Sequence, residues 1–530
     1  MPSTTTQAND DVTQVRDLLI SLISEGRGDE AVDAALSMME QLRSQNTELQ
    51  LKLMQLRQAR AGKRSERLDP EQLSLLLQLS GEEDDGEEEL IEDVAGEIED
   101  EQPRERRKPR RKRPPESLPR EVIEHEVPES ELTCPGCQGA LSRIGEDVSE
   151  VLELEPARFV VQQHRRAKYA CPRCKDGVVT APGPAKLLDG GLAGPSLLAH
   201  VVQSKYDDHV PLTRLCRIYG RGGVELSSST LSDWVAAVAN EVTPLVAQIR
   251  ERVLASHVVQ TDGSGLKVLE RDHPDGVRRG TMWCLVGDRR WSVFEYSQTG
   301  SGEDGPWRFL QGREGYVQAD AASVFDRLYD GQAASAVEVG CWAHARRKFH
   351  ALKDSDARVA YPLQLISKLY RVESVADSRE LDAEGRAELR RDKSSRILER
   401  LRRWLTKTAA REPPAGALAK ACAYSLNHWD ALSRFLEDGH LAPDNNLCEL
   451  QIRSLAVGRK NYLFAGSDAG ARRAAVLYSL MRTCALHDVE PWAYLKDVLA
   501  KLASGWKQDR IAELLPDAWA AAQAAEEQAA

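Results

Sequence analysis

Long apolar runs are missing from this chain. No stretch approaches the ~18 consecutive apolar residues that a membrane-crossing helix needs, so a helical membrane protein is excluded. The first residues are polar (Thr4, Thr5, Thr6, Gln7, Asn9, Asp10, Asp11) and lack the apolar core of a secretion signal. A disulfide framework is also absent. Of 10 cysteines, four form two tight C-x-x-C pairs and the others are scattered, which suits a metal knuckle in a reducing compartment. Excess positive charge is missing too, since the formal net charge is −12. The distribution matters more than the sum. The run from Glu82 to Glu101 holds thirteen acidic residues and no basic one, so the remainder is close to neutral. Local basic clusters therefore decide whether nucleic acid is a partner.

What is present reads as several domains. A length of 530 residues implies roughly three to four, and the class expected is multidomain α+β. Residues 1–80 read as a helical dimerisation region. Met39, Asn46 and Leu53 repeat every seven residues, as do Leu42, Leu49 and Leu56. These fit heptad positions a and d of a two-stranded coiled coil, with the polar Asn fixing register. Residues 81–118 carry the acidic run and then Arg104 to Arg113, an almost wholly basic run; neither buries a core, so a disordered linker is expected. Its basic arm can neutralise DNA phosphates without reading sequence.

Residues 119–185 read as a zinc ribbon. Cys134-Pro135-Gly136-Cys137 and Cys171-Pro172-Arg173-Cys174 are knuckles in which Pro and Gly turn the backbone so that paired thiolates face one ion. Four sulfurs suit tetrahedral, structural zinc. Val160, Val161 and Tyr169 between them read as strand residues. Residues 186–252 read as helical and helix-turn-helix-like, with helices over Pro211–Tyr219 and Ser229–Ala239 and Ser227 or Ser228 as N-cap. Ser229, Thr230 and Ser232 would then lie near bases; an ordinary helical hairpin is the plainer reading.

From about residue 253 the pattern changes to strands. His257 to Thr261 leads into Asp262, and Gly280–Gly287 and Trp291–Tyr296 follow. Then come a helical segment near Pro306–Leu310, a strand from Tyr316 into Asp320, a helix over Ser323–Tyr329 and a strand over Ala336–Gly340. Three strands, helix, strand, helix, strand is the order of a ribonuclease-H-like fold, whose first part is set at 253–350. In that fold the first and fourth strands are neighbours, so Asp262 and Asp320 would emerge at one edge. Close carboxylates repel, and hard cations with oxygen preference relieve them. A third acid must come from a helix. Asp444 is a reasonable N-cap of the segment carrying Leu450, Ile452, Leu455 and Ala456, which puts Glu449 in its early turns. Residues 351–430 read as a helical insertion, 431–515 as the second part of the core and 516–530 as a tail.

Several stretches resemble the transposases of the insertion-sequence-66 family nearly end to end. They are Lys63 to Pro70, the cysteine knuckles, Cys341-Trp342-Ala343-His344-Ala345-Arg346-Arg347-Lys348-Phe349, Asp444-Asn445-Asn446 through Glu449, and Gly458 to Ser467. The resemblance implies a DDE transposase that binds terminal inverted repeats and catalyses DNA cleavage and strand transfer. Asp262, Asp320 and Glu449 would hold two Mg2+ ions, with Mn2+ as a substitute, and Asp262 would contact both. One departure stands out: the family often has Glu-Thr after the first Asp, where this chain has Gly263-Ser264.

Around that triad, Arg346, Arg347, Lys348, Arg453, Arg459 and Lys460 are expected to meet DNA phosphates. Cys341 and His344 form a C-x-x-H pair with no further ligand obvious nearby, so a structural or DNA-positioning role is expected. Tyr462 and Phe464 read as core. Expected partners are double-stranded transposon ends and target DNA, a second copy of the chain, and accessory proteins of the same element. The expected location is the cytoplasm, at the nucleoid. Rival readings are a non-catalytic zinc-ribbon DNA-binding regulator and a metal-dependent nuclease that cuts without joining. Metal analysis of the full chain should find about one tightly held zinc per chain, lost in Cys171→Ser; a zinc-free folded chain would remove the ribbon.

Overall fold

A computed structural model of the chain describes residues 183–188, 191–331 and 334–529, the segment 159–165, a hairpin at 168–170 and 178–180, and isolated positions between 20 and 32. The heptad residues Met39 to Leu56, the 81–118 linker and the four knuckle cysteines lie outside these residues. The hairpin belongs to a compact unit of its own. It pairs β1 (Lys168–Ala170) antiparallel with β2 (Val178–Thr180), Tyr169 opposite Val179. Val160 and Val161, expected in a strand, are exposed and lie in none. β-branched residues without a strand beside them gain nothing from extension.

The other unit is built on a five-stranded mixed sheet in the order β5–β4–β3–β6–β7. β3 (Val258–Leu269), β4 (Val277–Gly287) and β5 (Trp291–Ser297) are antiparallel neighbours. β6 (Glu314–Gln318) and β7 (Ser335–Val339) add in parallel on the other side of β3. β3 is central; in its neighbour β4, Met282 to Val286 are all buried, as expected of a strand covered on both faces. The connections fall where expected, one helical turn at Pro306–Phe309 and a helix at Ser323–Leu328 that is 3-10 in form.

Among the described residues after 190, three helices lead into the sheet: α1 (Pro195–Tyr206), α2 (Leu212–Arg221) and α3 (Ser228–Ala255). The helix expected to stop at Ala239 thus continues for four more turns, past Pro244. Burial of Val242, Leu245, Val246, Ile249 and Val253 against β4 and β5 outweighs the bond that proline removes. Ser227 caps α3, its Oγ accepting from Thr230 N at 3.1 Å. The Ser229 and Thr230 hydroxyls, expected near bases, lie 2.7 and 2.8 Å from Ser227 Oγ and belong to that cap.

A helical layer joins β7 to the rest: α4 (Trp342–His350), α5 (Ala360–Ser378), α6 (Ala383–Leu389), α7 (Ser395–Arg411), α8 (Ala417–Asn427) and α9 (Trp429–Ser433). Arg390, in a π-helical turn between α6 and α7, is fully buried. It pairs with Glu373 at 2.7 Å through two nitrogens and donates to the carbonyls of Phe435, Asp438 and Leu441 at 2.8, 3.0 and 2.8 Å. A buried guanidinium with every contact satisfied fixes the loop after α9. The chain ends in α10 (Asn446–Tyr462), α11 (Asp468–Leu486), α12 (Pro491–Ala503) and α13 (Pro516–Ala529).

α11 runs along the free edge of β5. Ser479 and Thr483, one turn apart, accept from the outward Phe294 and Ser292 N–H groups at 2.7 and 3.2 Å. Helical hydroxyls thereby close an edge that would otherwise pair with another strand.

Gly263 is a point of close approach. A Cβ there would lie 2.6 Å from the Trp283 ring, and Trp283 Nε1 donates to Ser297 Oγ at 2.7 Å. The indole fills the space that a side chain after the first acid would need, which accounts for glycine where the family often has glutamate. Gly263→Ala should lower stability by about 1–3 kcal/mol through displacement of Trp283. An unchanged melting temperature would show that the ring gives way freely.

Candidate active site

β3 does not end at Asp262. It runs on to Leu269 because β4 continues to pair with it, Asp262 standing opposite Cys284. What ends is the seam with β6, whose last pair is Gln260 with Gln318. Asp262 lies two residues past that pair on one strand, and Asp320 two residues past it on the other. Glu449 arrives from the first turn of α10. The three elements come together at the open end of the seam.

A polar tether holds them there. Buried Gln260 donates through Nε2 to Gln318 Oε1 at 2.8 Å and to the Asp444 carbonyl at 3.1 Å. Gln318 Nε2 donates to the carbonyls of Gly340 and Ala442 at 3.0 and 2.7 Å. Asn445 Nδ2 donates to the Thr261 carbonyl at 2.9 Å, next to Asp262. Gln260, Gln318 and Asn445 escaped sequence reasoning. A signal was present: Gln-x-Asp recurs where the β3–β6 seam ends, on both acid-bearing segments.

The N-cap of α10 is Asn445, one residue later than expected. Asp444 Oδ1 instead accepts from Asn446 N at 3.0 Å, and Oδ2 from Asn446 Nδ2 at 2.6 Å. Tyr370 of α5 also bonds the Asp444 carboxylate. Further along, Arg459 NH1 donates to Ser264 Oγ at 3.0 Å and to the Gly265 carbonyl. Ala465 N donates to Lys267 O at 2.8 Å, and Leu269 N to Ala465 O at 2.9 Å. α10 and its exit are thus stapled to β3 at residues 261, 264 and 267.

The electrostatics are unbalanced. Burial raises the Asp262 carboxyl to about 6; the Gly263 N–H, which it accepts at 2.7 Å, opposes this, and the charges of Asp320 and Glu449 add to it. Arg347 pulls the other way. Glu449 Oε2 lies 3.4 Å from Arg347 NH2, and Oε1 lies 3.6 Å from His344 Nδ1, too far for a hydrogen bond. Glu449 Oε1 and Asn445 Oδ1 are buried acceptors with no hydrogen-bond partner. Orphaned buried oxygens beside a cluster of carboxylates fit a bound hard cation.

Cys341 precedes α4 and is buried. Burial raises its thiol to about 12, so it stays protonated; it accepts from Asn445 N at 3.3 Å. His344 Nδ1 lies 3.3 Å from its sulfur. Glu449 completes a group whose ligand atoms all lie within 4.8 Å of one another, a neighbour that sequence spacing did not reveal. The Cys341 sulfur, bonded by Asn445 N and close to His344, braces the segment that carries Glu449.

The basic candidates separate into groups. Arg346 and Arg347 line a cleft of about 490 Å³ with Ala343, His350, Tyr370 and Asn446. Arg453, one turn after Glu449, and Lys460 are exposed. Lys348 sits over the Tyr424 ring, 5.1 Å from its centroid, and Arg459 is engaged with β3. Phe464, expected in the core, is 41% exposed, and Tyr462 is half-buried. The turn after α10, with Leu463 at φ 65°, carries Phe464 outward.

Four family models match the chain. One described as "Transposase IS66 family" covers residues 190–473, more than half of it. One described as "zinc-finger binding domain of transposase IS66" covers residues 131–175 and all four knuckle cysteines, which supports structural zinc. "IS66 C-terminal element" matches residues 479–516 and "Transposase C of IS166 homeodomain" residues 48–123. Similar chains come from Sinorhizobium fredii (strain NBRC 101917 / NGR234). Uncharacterized protein y4hP is 33% identical over 516 residues, 90% of this chain and 89% of its own. Uncharacterized protein y4qI is 37% identical over 410 residues, 75% of this chain and 74% of its own. The first match takes in Asp262, Asp320 and Glu449. The chain belongs to the IS66 family of transposases, DNA-processing enzymes of insertion sequences.

Proposed function

We propose that this transposase cleaves and joins DNA at the terminal inverted repeats of its element by metal-dependent phosphoryl transfer, on a ribonuclease-H-like core. The observation that supports the reading is that Asp262, raised by burial at the open end of the β3–β6 seam, feels the charges of Asp320 and Glu449. The donor set is all oxygen, which favours Mg2+ or Mn2+ over softer ions. Asp262, Asp320 and Glu449 would hold two such ions. When bound, the ions activate the attacking water or 3′-hydroxyl and stabilise the leaving oxygen.

The chain's own residues do the rest. Asn445, Gln260 and Gln318 fix the three acids relative to one another, so that little reorganisation accompanies reaction. Arg347 holds Glu449 in place, and the cleft beside it offers Arg346 and His350 to a phosphate. Arg453 and Lys460 extend the same basic surface along α10. Lys348, exposed over the Tyr424 ring, and Arg459, bonded to β3, are the remaining phosphate candidates. In the remaining domains, 1–80 dimerises the chain, 81–118 links, and 119–185 and 186–252 bind the element ends.

With cognate ends and Mg2+, the full chain should cleave and join, and Asp320→Asn should reduce both by a factor on the order of a thousand or more. Cleavage without joining would favour the nuclease reading. Intact DNA binding with no Mg2+-dependent chemistry would favour the regulator.

A second test uses the sign of the Asp262 shift. Its folded-state pKa is raised from 3.8 to about 6, so the folded chain holds its proton longer. Stability from this group is therefore lost as pH rises from about 4 through about 6. Without added Mg2+, Asp262→Asn should raise the melting temperature at pH 7.5, the gain being worth up to about 3 kcal/mol. The gain should vanish near pH 4, and saturating Mg2+ should stabilise the wild type alone. A variant less stable than wild type at pH 7.5 would contradict the charge-cluster account.

A further inference from the structure

The acids are not the only convergent ligand set. His257, directly ahead of β3, faces Asp438 and His440 of the loop that follows α9. His257 Nε2 lies 2.7 Å from Asp438 Oδ2, and His440 Nδ1 lies 2.9 Å from Asp438 Oδ1. The two imidazole rings stand edge to face with centroids 5.4 Å apart. One ligand atom from each residue lies within 4.8 Å of the others. We propose that these three residues form a second, surface metal site for a zinc-class divalent cation, which clips the loop leading into α10 to the start of β3.

Chemistry selects the ion. Two imidazole nitrogens and one carboxylate oxygen suit zinc, cobalt or nickel and do not suit magnesium, which demands oxygen. Three protein ligands leave a fourth tetrahedral position for water. Bonds of about 2.0–2.1 Å put tetrahedral ligand atoms ~3.3 Å apart, a closure within reach of side-chain rotation in two exposed imidazoles. This ion is distinct from those of the acid cluster in both ligand type and place. His257 precedes the β3–β6 seam, and Asp262 follows its last pair.

The backbone that carries the ligands is held independently of any ion. On the β3 side, His257 N donates to Asp288 Oδ2 at 3.0 Å, and the His257 carbonyl accepts from Arg313 NH2 at 2.9 Å. On the loop side, buried Arg390 donates to the carbonyls of Phe435, Asp438 and Leu441. His440 N also donates to Asp438 Oδ1 at 2.8 Å, which holds the aspartate in a tight turn. Both backbones are thus anchored, so binding an ion orders side chains alone and its ordering cost is small.

The consequence reaches the candidate active site. Asp438 and His440 lie six and four residues before Asp444, and His257 lies five before Asp262. An ion at the clip would restrain both segments that feed the acids, adding a bond between elements joined there by the His257–Asp438 contact and the His257–His440 ring contact.

The test uses the full chain with any affinity tag removed, and Zn2+ as the probe. Wild type, His257→Gln/His440→Gln and the surface variant His440→Ala are each titrated with Zn2+ against a chromophoric chelator. Thermal melts follow with Zn2+ or Mg2+. Wild type should bind one zinc per chain beyond the cysteine-held one, with affinity for it falling on the order of tenfold or more in His440→Ala. Zn2+ should raise the wild-type melting temperature, Mg2+ should not do so through this site, and the double variant should lose the Zn2+ response. Cys171→Ser should lose the tightly held zinc and keep the added one. Equal zinc stoichiometry and equal melting shifts in wild type and His440→Ala would overturn the proposal and leave a His–Asp–His ion pair.

Discussion

Everything at the candidate site depends on a few buried amide hydrogen bonds. Gln260, Gln318 and Asn445 join two strands to a loop that reaches them only after the whole helical layer has been threaded. A strand end and a helix start have no intrinsic reason to meet. Here the loop carbonyls of Ala442 and Asp444 are satisfied by the two glutamines that form the last pair of the β3–β6 seam. Removing one such donor would leave a buried carbonyl unpaired, at a cost of about 1–3 kcal/mol. The acids themselves contribute no such cohesion. They are brought together by bonds that their neighbours make, and against their own repulsion.

That division of labour explains a site that is costly when empty of cations. Asp262 is partly buried, Glu449 has an oxygen without a hydrogen bond, and Arg347 is the cation that acts on both. A more complete set of counter-charges would stabilise the fold and at the same time fill the space that metal ions need. Local destabilisation of this kind is a familiar cost of function. The rigid surroundings compensate: Arg390 and Glu373 lock the loop before α10, and three staples hold α10 along β3.

Much of the sheet was legible in the sequence. Alternating and continuous apolar runs located β4 to β7 to within a few residues, and the Asp262 and Asp320 strands are neighbours as their order suggested. The extent of β3 was not legible. The reading followed the strand only as far as Asp262, and the pairing of Gly263, Ser264 and Gly265 with Trp283, Met282 and Thr281 is what carries it on. α3 was cut short in the reading because burial of its second half, which overrides Pro244, is a tertiary fact. The α10 cap was placed one residue early, since Asp444 and Asn445 are both good caps and the choice falls to Asn445 through its bond to Thr261. Glu449 stood on resemblance more than on pattern. The tether residues were visible as a repeated Gln-x-Asp, yet nothing local says that a glutamine side chain will find a carbonyl more than a hundred residues away.

The staples along β3 also set an order of assembly. The antiparallel hairpins of β3, β4 and β5 involve near neighbours in sequence and can form early, and β6 follows within a short span. The partners of residues 261, 264 and 267 are Asn445, Arg459 and Ala465, which leave the ribosome only after the entire helical layer. A chain interrupted before them would present both strand acids without the helix that completes the group. For a transposase, late closure means that the nascent chain lacks the assembled candidate site until nearly all of it exists.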